Sequence, residues 1–470
     1  MSIYINDSLL REKKVFEPLN PPKVNIYTCG VTVYDSCHIG HARSLYTFDV
    51  IRKYLKYRGF DVKFVRNITD IDDKIINRAN ELKIDWQDLV KEQIAGYYQD
   101  LDILGIPKAD YEPRATENIV PMIRHIEALI EKGYAYVTDT GVYFNVRKFE
   151  SYGKLSGQSI DRMEVGVRKE SDETKKDPLD FALWKTSKPG EPSWDSPWGK
   201  GRPGWHIECS VMSTKYLKVD TLDIHAGGRD LIFPHHENEI AQAEALTEQP
   251  FAKYWIHHGL LTINGQKMAK SLGNFITIKD FIDKHKNADF LKIFFLSAHY
   301  AHPVDFTEEK IEEAKKGYER FTILFQKLDR KLCTPDAAKL LDANKVAVDQ
   351  FRNKFQEAMD DDFNTPIALS VLFNMVNECN KMLASELADN CAALRYARQV
   401  IMELTGILGL SFKYVCEENV DTWIDVLLDK RNQFKKGKKY AEADKIRKEL
   451  EEKGIIIEDT KDGTTWRRKL

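Results

Sequence analysis

The sequence predicts an α/β protein with a parallel sheet that is split by an insertion, followed by an α-helical bundle and a small C-terminal α/β domain. An apolar run at 24–28, a helical pattern to about Tyr57 and a second apolar run at 62–65 indicate a strand, a helix and a strand. This spacing favours parallel strands joined by a right-handed crossover. A strand-like stretch returns at 221–225, and beyond Thr307 apolar and charged residues keep a helical period.

Length and composition set the class of protein. The chain of 470 residues, 43% of them hydrophobic, has room for about three folded domains. It contains no apolar run as long as a membrane span and carries charge early, so we expect no membrane segment, no signal peptide and a cytoplasmic location. The seven cysteines include no CxxC pair, which fits a reducing compartment. A metal site would therefore have to combine distant segments.

The stretch 29–41, CGVTVYDSCHIGH, joins the first predicted strand to the first predicted helix. Such a turn directs backbone N–H groups and the positive end of a helix at its ligand, which favours phosphate. His38 and His41 are three residues apart, so both rings lie on one side of the helix start and can donate to phosphate oxygens. Taken alone, two histidines here would more often pack or cap the helix. The usual GxGxxG is missing, so a dinucleotide cofactor is not indicated.

Three aspartates, Asp70, Asp72 and Asp73, follow the second strand. They could hold Mg²⁺, but acidic residues at a helix start more often serve as caps and dipole partners. From about 106 to 200 the pattern changes to amphipathic helices, such as 119–130, and then to Gly- and Pro-rich segments. We interpret the tryptophans of the last part, Trp184, Trp194 and Trp198, as loop anchors. This stretch is the predicted insertion.

The second half of the sheet brings candidate metal ligands. Pro234 suits the first turn of a helix, and His235 and Glu239 would then lie one turn apart on one face. With Cys29 and Cys209 they form a candidate zinc set drawn from both halves of the sheet. Buried cysteines are ordinary core residues, however, and His236 and Glu237 are rival ligands. The pattern is not HExxH, whose glutamate is the base of zinc hydrolases.

A loop at 261–274 combines a hairpin-like Asn-Gly with Lys267 and Lys270. Two ammonium groups three residues apart can converge on a triphosphate, although an isolated KMAKS would more often be a surface loop.

The C-terminal part is basic. The segment 429–470 has 14 Lys and Arg against 9 Asp and Glu, whereas the whole chain has a net charge of −3. Two charged helices from about 421 to 454 and a hairpin around Gly463 are predicted. A charge run is usually a solvated helix face; the alternative is a local RNA-binding surface. Trp466, with Arg467 and Arg468, could stack on and neutralise RNA, or Trp466 could be a core residue.

Taken together the chain resembles the cysteinyl-tRNA synthetases, a class I aminoacyl-tRNA synthetase family, over nearly its whole length. The stretches that carry the resemblance, in order, are CGVTVYDSCHIGH, VRNITDIDDKI, GRPGWHIECS, FPHHENEIAQ, KMAKSLGN, EAMDDDFNTP and GTTWRR. Their order and spacing are far more specific than any one motif.

The resemblance implies a set of site residues. The family's zinc ligands fall on Cys29, Cys209, His235 and Glu239, and its two ATP-binding motifs fall on His38, Gly40 and His41 and on Lys267 and Lys270. Gly227 belongs to the glycine-rich turn that the family places beside ATP. Thr69, Trp205 and Asp230 match positions that line the amino-acid pocket. Trp466, Arg467 and Arg468 would contact tRNA.

The resemblance also implies a domain order. A Rossmann-type catalytic domain would comprise 1–105 and 201–255, with a connective insertion at 106–200. A region at 256–306 would contact the tRNA stem and carry the KMAKS loop. The helical bundle would occupy 307–420, and a domain that reads the anticodon 421–470.

The implied activity is the attachment of L-cysteine to its tRNA through a cysteinyl-adenylate. The cofactors would be one Zn²⁺ per chain, which selects cysteine over serine through its thiolate, and Mg²⁺ with ATP. The partners would be ATP, L-cysteine and tRNA, without a membrane, and the chain is expected to be a monomer.

The sequence departs from the family pattern at three positions. Ala269 stands where serine is usual, and Ala226 and Arg229 stand where glycine and serine are familiar. We expect Ala269 to affect loop closure modestly.

Three rival functions remain. A ligase that joins cysteine to an amino sugar through the same adenylate would end before the basic tail. A zinc hydrolase would use Glu237 or Glu239 as its base. A non-catalytic RNA-binding paralogue would not need both histidines and both lysines.

Overall fold

The computed structural model describes residues 2–160, 174–332, 340–385, 390–412, 422–460 and 463–468. The described strands are β1 Tyr4–Asp7, β2 Glu12–Val15, β3 Lys23–Thr32, β4 Asp61–Thr69, β5 Ala135–Thr138, β6 Gly141–Phe144, β7 Phe181–Thr186, β8 Gly201–Pro203, β9 Leu222–Gly228, β10 Ala252–His258, β11 Leu261–Ile263, β12 Gln266–Lys267, β13 Val304–Phe306, β14 Ile455–Thr460 and β15 Gly463–Arg468.

The α-helices of the same part of the chain are α1 Ile39–Tyr57, α2 Asp73–Leu82, α3 Trp86–Ile103, α4 Ile119–Glu131, α5 Trp205–Leu217, α6 Glu237–Thr247, α7 Ile278–His285, α8 Ala288–Leu296, α9 Glu308–Leu332, α10 Asp342–Asp360, α11 Thr365–Ala384, α12 Asn390–Ile407, α13 Thr422–Lys436 and α14 Tyr440–Glu452. No helix within these described segments is both long and apolar enough to cross a membrane.

The central sheet has the strand order β10-β9-β3-β4, and all of its pairings are parallel. Ile26 of β3 pairs with Phe64 of β4 on one side and with Ile224 of β9 on the other. The chain therefore leaves β3 toward β4 and later returns to the opposite side, which places a switch point between β3 and β9. In such sheets ligands bind outside the carboxyl ends of the strands at this point. The predicted Rossmann-type parallel sheet is confirmed.

The insertion separates β4 from α5 and differs in part from the prediction. Helix α4 lies where an amphipathic helix was expected, but strands β5 to β7 of the insertion also form an antiparallel sheet with β8, which follows directly after it, and this sheet was not predicted. Trp184 is a fully buried residue of β7 and not a loop anchor. These strands have only three to six residues, too short for a clear alternation of apolar and polar side chains.

The predicted helical bundle is confirmed by α9 to α12. It packs on the central domain through α1, where the Tyr46 hydroxyl donates to the Leu408 carbonyl at 2.6 Å. One hydrophobic core runs from Ile26 of β3 through Phe48 of α1 to Leu372 of α11. The bundle therefore buttresses the helix that follows the 29–41 turn.

The C-terminal domain has its own small core. Helices α13 and α14 pack on the β14–β15 hairpin through six buried aliphatic residues: Ile424, Leu428, Ile446, Leu450, Ile455 and Ile457. Two helices and a hairpin were predicted here, so the small α/β domain is also confirmed. The five domain limits given above stay predictions.

Candidate active site and metal centre

The turn between β3 and α1 fixes the protonation of two histidines. The Nδ1 atom of His38 accepts the backbone N–H groups of Gly40 at 3.0 Å and His41 at 3.2 Å, and Nδ1 of His41 accepts the N–H of His38 at 3.3 Å. Since backbone amides only donate, each neutral ring must carry its proton on Nε2. Burial lowers the pKa of His38 to about 4 and that of His41 to about 3, so both rings are neutral at pH 7.

The two rings stack with centroids 3.8 Å apart at the N-terminus of α1. A side chain at Gly40 would come within 2.8 Å of the His38 ring, so this position needs a glycine. Two Nε2–H donors and the positive end of a helix therefore face one region, an arrangement that favours phosphate.

The KMAKS segment lies against this turn. The hairpin between β11 and β12 turns at Asn264 and Gly265, both with positive φ, as the Asn-Gly pair predicted. Further along, the Ile39 N–H donates to the Ile276 carbonyl at 3.1 Å, and the Ile278 N–H donates to the Cys37 carbonyl at 3.0 Å. The segment that carries the two lysines is thus bonded to the start of α1.

Lys270 and Lys267 are placed differently. Nζ of Lys270 forms an ion pair with Asp35 of the turn and lies 5.1 Å from the centre of the Phe275 ring. Lys267 is exposed on β12, and no ion pair of its side chain is found within the described residues. Both lysines are on the segment facing the histidines, but only Lys270 contacts the turn directly.

A compact group of possible metal ligands lies at the switch point of the sheet. It contains Cys29 of β3, Cys209 of α5, and His235 and Glu239 at the start of α6, with all four ligand atoms within 4.8 Å of one another. Cys209, His235 and Glu239 are buried, and Cys29 is half-buried. The structure therefore brings together all four predicted zinc ligands.

The spacing of these atoms fits a tetrahedral ion. With a zinc–sulfur bond of about 2.3 Å, tetrahedral geometry separates two sulfurs by about 3.8 Å, and a sulfur from a nitrogen by about 3.6 Å. The Sγ atoms of Cys29 and Cys209 are 3.7 Å apart, and Cys209 Sγ is 3.5 Å from Nε2 of His235. Oε1 of Glu239 lies 3.4 Å from Cys29 Sγ and 2.9 Å from His235 Nε2. Two thiols, an imidazole and a carboxylate are also the donors that zinc prefers.

Protons compete for these ligands. Burial raises the pKa of Cys29, and the neighbouring Cys209 raises it further. Burial alone would lower the pKa of His235, but the Glu239 carboxylate and Cys209 raise it to about 10. A divalent ion must displace these protons, so its binding should release protons and strengthen as the pH rises.

The local structure around His235 agrees with the prediction. Phe233 has extended backbone angles, and the residues after it are helical and run directly into α6, which begins at Glu237. Pro234 therefore lies in the first turn of this helical stretch, directly after the break. His235 and Glu239 meet one turn apart, with Nε2 of His235 2.9 Å from Oε1 of Glu239.

The rival ligands are separated by their other contacts. Glu237 accepts the backbone N–H groups of Gly153 at 2.9 Å and Ser156 at 2.8 Å, so its carboxylate fastens the insertion to α6. It belongs to neither of the two possible metal groups in the described residues. His236 is in the second group, with Cys29, His225 and Glu239. That group has only one thiol, so we favour the first as the zinc site.

A layer of histidines that was not predicted lies behind the candidate ligands. Nε2 of His225 lies 2.6 Å from Oε2 of Glu239, and Nδ1 of His206 lies 2.9 Å from Nδ1 of His235. Such contacts orient ligands and set their tautomers. His225 lies in the middle of a buried strand, and a polar residue in that position is the signal that could have identified it.

The predicted amino-acid pocket is only partly assembled around the metal group. The Trp205 ring stacks on His235 with centroids 4.0 Å apart. The Thr69 hydroxyl donates to Glu208 at 2.6 Å and accepts from Asn67 at 3.2 Å, which ties it to the residue before Cys209.

The third predicted pocket residue, Asp230, lies in the turn after β9 beside Gly228. Gly227 lies near the end of β9, where a side chain would come within 2.7 Å of the His236 ring. Of the two departures there, Ala226 is buried in β9 and Arg229 is exposed.

The three aspartates after β4 have structural partners. Asp72 caps α2, Asp73 pairs with Lys185, and Asp70 accepts from Thr116. These contacts favour capping and pairing over Mg²⁺ binding.

The predicted tRNA-binding residues lie on β15, opposite β14. Trp466 pairs with Ile457, and the neighbouring Arg467 and Arg468 continue the strand. Their side chains lie outside the described part of the structure, so their RNA contacts stay a prediction.

Comparisons with known proteins agree along the whole chain. Residues 15–316 match the tRNA synthetases class I (C) catalytic domain, residues 354–413 the DALR domain, and residues 420–467 the cysteinyl-tRNA ligase anticodon binding domain. The cysteine–tRNA ligases of Thermodesulfovibrio yellowstonii and Geobacillus thermodenitrificans are each 49% identical to this chain, over 99% of the chain and 99% of the relative.

Solved structures show the same fold at low identity. Methionyl-tRNA synthetase from Mycobacterium tuberculosis, bound by methionyl-adenylate, superposes with a TM-score of 0.59 at 16% identity, over 82% of this chain and 90% of that one. A leucyl-tRNA synthetase from Agrobacterium radiobacter K84 gives 0.62 at 11% identity, over 84% of this chain and 86% of that one. The resemblance found in the motifs is thus confirmed, and the chain belongs to the cysteine–tRNA ligase family of class I tRNA synthetases.

Proposed function

We propose that this chain attaches L-cysteine to its tRNA through a cysteinyl-adenylate and selects cysteine with a bound zinc ion. One observation carries the proposal: a Cys–Cys–His–Glu group with tetrahedral separations lies at the same sheet edge as two histidines that each offer an Nε2–H. The first suits a thiolate and the second suits a phosphate. A cysteine and ATP bound there would be neighbours.

In the first step, the cysteine carboxylate attacks the α-phosphorus of ATP in line and pyrophosphate leaves. The protein supplies positioning and charge stabilisation, so no side-chain nucleophile is needed. His38 and His41 donate to phosphate oxygens from Nε2, the N-terminus of α1 adds a positive potential, and Lys267 and Lys270 neutralise the charge that develops on pyrophosphate. Mg²⁺ would accompany ATP.

In the second step, the terminal ribose hydroxyl of tRNA takes the cysteinyl group from the adenylate, and AMP leaves. The carbonyl carbon is already activated as a mixed anhydride, so this step again relies on positioning.

The choice between cysteine and serine is assigned to the metal centre. An apolar pocket hardly distinguishes –SH from –OH. Zinc held by Cys29, Cys209, His235 and Glu239 would bind a thiolate strongly and a hydroxyl poorly. Trp205, which stacks on His235, holds that ligand in place beside the pocket. Selection of this kind removes the need for an editing domain.

The remaining assignments are proposals of the same kind. Residues 420–467, which match an anticodon-binding domain, support tRNA over an amino sugar as the acceptor. We also propose Thr69 and Asp230 as pocket residues, Gly40 and Gly227 as ATP contacts, a monomeric state and a cytoplasmic location.

Charging of a tRNA transcript with radiolabelled cysteine, which requires ATP, tests the function; ATP-independent hydrolysis or no charging would contradict it.

Replacing Trp466 by alanine should weaken tRNA charging by about tenfold or more while leaving cysteine-dependent pyrophosphate exchange within about twofold, because base stacking contributes about 1–3 kcal/mol per base. The two rates are measured on the same preparation. Trp423→Ala in α13 is the control for a general loss of the C-terminal domain. Equal losses of charging and exchange would place Trp466 in the core.

Replacing Ala269 by serine should change the rate of cysteine-dependent pyrophosphate exchange by less than about threefold. Ala269 is bonded within the loop through its backbone: its N–H donates to Oδ1 of Asn274 at 2.8 Å, and its carbonyl accepts the N–H of Leu272 at 3.2 Å. Both bonds survive the substitution, and both lysines are kept. A rate change above about tenfold in steady-state exchange would show that the hydroxyl has a larger role.

A further inference from the structure

The ion pair between Asp35 and Lys270 joins the two predicted ATP motifs. Oδ1 of Asp35 accepts the N–H of Ser36 at 2.9 Å, while Oδ2 pairs with Nζ of Lys270. One carboxylate oxygen is therefore fastened to the turn, and the other holds the lysine. The Asp35 side chain is 19% exposed and that of Lys270 is 52% exposed, so this contact can form and break without unfolding the turn.

Phe275 also holds the Lys270 ammonium group close to His38. Lys270 Nζ lies 5.1 Å from the centre of the Phe275 ring, and the Phe275 and His38 rings form a T-shaped contact with centroids 5.2 Å apart. Lys270 is thus held beside a phosphate-binding turn by a carboxylate that carries the same sign of charge as phosphate.

A second cation is available to Asp35. Arg78 of α2 has a guanidinium nitrogen 4.0 Å from Oδ2 of Asp35, and it also bonds Glu81 at 3.1 Å. When Lys270 leaves, Asp35 keeps a positive neighbour and is not left unpaired.

We propose that Asp35 is a positioning residue that holds Lys270 at the phosphate site in the free enzyme and gives it up to the triphosphate of ATP when nucleotide binds. The inference rests on the proposed role of Lys270 in ATP binding. The triphosphate carries more negative charge than the carboxylate, so Lys270 transfers to it, and Asp35 then relies on Arg78.

The transfer of Lys270 from Asp35 to the triphosphate has a consequence for the affinity of ATP. A contact made only by the free enzyme opposes ATP binding, because it must be broken for ATP to bind. Removing the charge of Asp35 removes that contact and also a negative charge near the incoming phosphates. The asparagine variant should therefore bind ATP more tightly.

The test is calorimetric binding of ATP·Mg to the full-length protein. Asp35→Asn should bind about three- to tenfold more tightly than the wild type, which is the range expected for a half-exposed ion pair plus removed repulsion. The KM for ATP in pyrophosphate exchange should fall in parallel, with kcat and the KM for cysteine within about twofold. Asp35→Glu should behave as the wild type. Asp283→Asn, which removes one exposed carboxylate from α7, is the matched charge control and should change nothing.

Unchanged or weaker ATP binding by Asp35→Asn would overturn the inference while the wild-type exchange activity kept the proposed function intact. Asp35→Ser, which also removes the charge, checks that a result does not come from the asparagine itself. If the wild type neither binds ATP·Mg nor catalyses exchange, the proposed function fails, and this inference fails with it.

Trypsin cleavage after Lys267 and Lys270 should be faster in Asp35→Asn without ATP and equal to the wild type with ATP.

Discussion

Replacing Cys209 by serine should abolish cysteine-dependent pyrophosphate exchange and reduce the zinc content from about one ion per chain to near zero. Cys209 is 1% exposed, and its Sγ lies at tetrahedral separations from Cys29 and His235. A serine hydroxyl has nearly the same shape but is a poor zinc ligand. The variant should therefore keep its fold and lose its metal.

Cys379→Ser is the matched control for this experiment. Cys379 is also buried at 1% exposure, but it lies in α11 of the bundle, outside both possible metal groups. Any general cost of a buried hydroxyl appears in both variants, whereas zinc loss should appear only in Cys209→Ser. Full zinc content with normal exchange in Cys209→Ser would remove Cys209 from the ligand set.

Replacing Lys270 by alanine should slow cysteine-dependent exchange by about a hundredfold or more, with the zinc content unchanged. Removing one preorganised donor to a developing negative charge typically costs about 10²–10³ in kcat. Lys270 is held beside the histidine turn by Asp35 and Phe275, so its ammonium already lies beside the turn where the phosphates are proposed to bind. The rate is measured at saturating ATP.

Lys279→Ala is the corresponding control. Lys279 is an exposed lysine of α7, a few residues beyond the loop, so it removes one positive charge from the same surface. Its exchange rate should stay within about twofold of the wild type. An unaltered rate in Lys270→Ala, or an equal loss in Lys279→Ala, would remove Lys270 from the ATP site.

The strand-to-helix turn was the most predictable part of the site. Its apolar strand, helical period and paired histidines are all local features, so the sequence predicted β3, α1 and the positions of His38 and His41. The tautomers of the rings could not be predicted, because they depend on which backbone amides reach Nδ1.

The metal group shows where local reasoning ends. The spacing of His235 and Glu239 predicted a shared side, but the pairing of two cysteines 180 residues apart depends on the tertiary fold. The sequence pattern alone also did not decide whether Glu237 is a metal ligand. What excludes Glu237 from the candidate ligands is its contact with the insertion, since its carboxylate accepts hydrogen bonds from the backbone N–H groups of Gly153 and Ser156.

The short strands of the insertion and the histidines that contact the candidate ligands were not predicted for a related reason. The strands of the insertion are short, since β5 and β6 have four residues each, and their sheet also needs β7, which pairs with β6 from a distant part of the chain. His206 was noticed only as part of a motif, although its ring contacts His235. Such residues are defined by what surrounds them and not by their own spacing.

Amino-acid-dependent pyrophosphate exchange with cysteine and with serine tests the central claim most directly. The protein is assayed for zinc, stripped with a chelator and reloaded. The proposal predicts exchange with cysteine alone, lost with the metal and restored by zinc. Exchange with serine at the same rate would contradict zinc-thiolate selection, and no exchange from folded, zinc-loaded protein would contradict the adenylate chemistry itself.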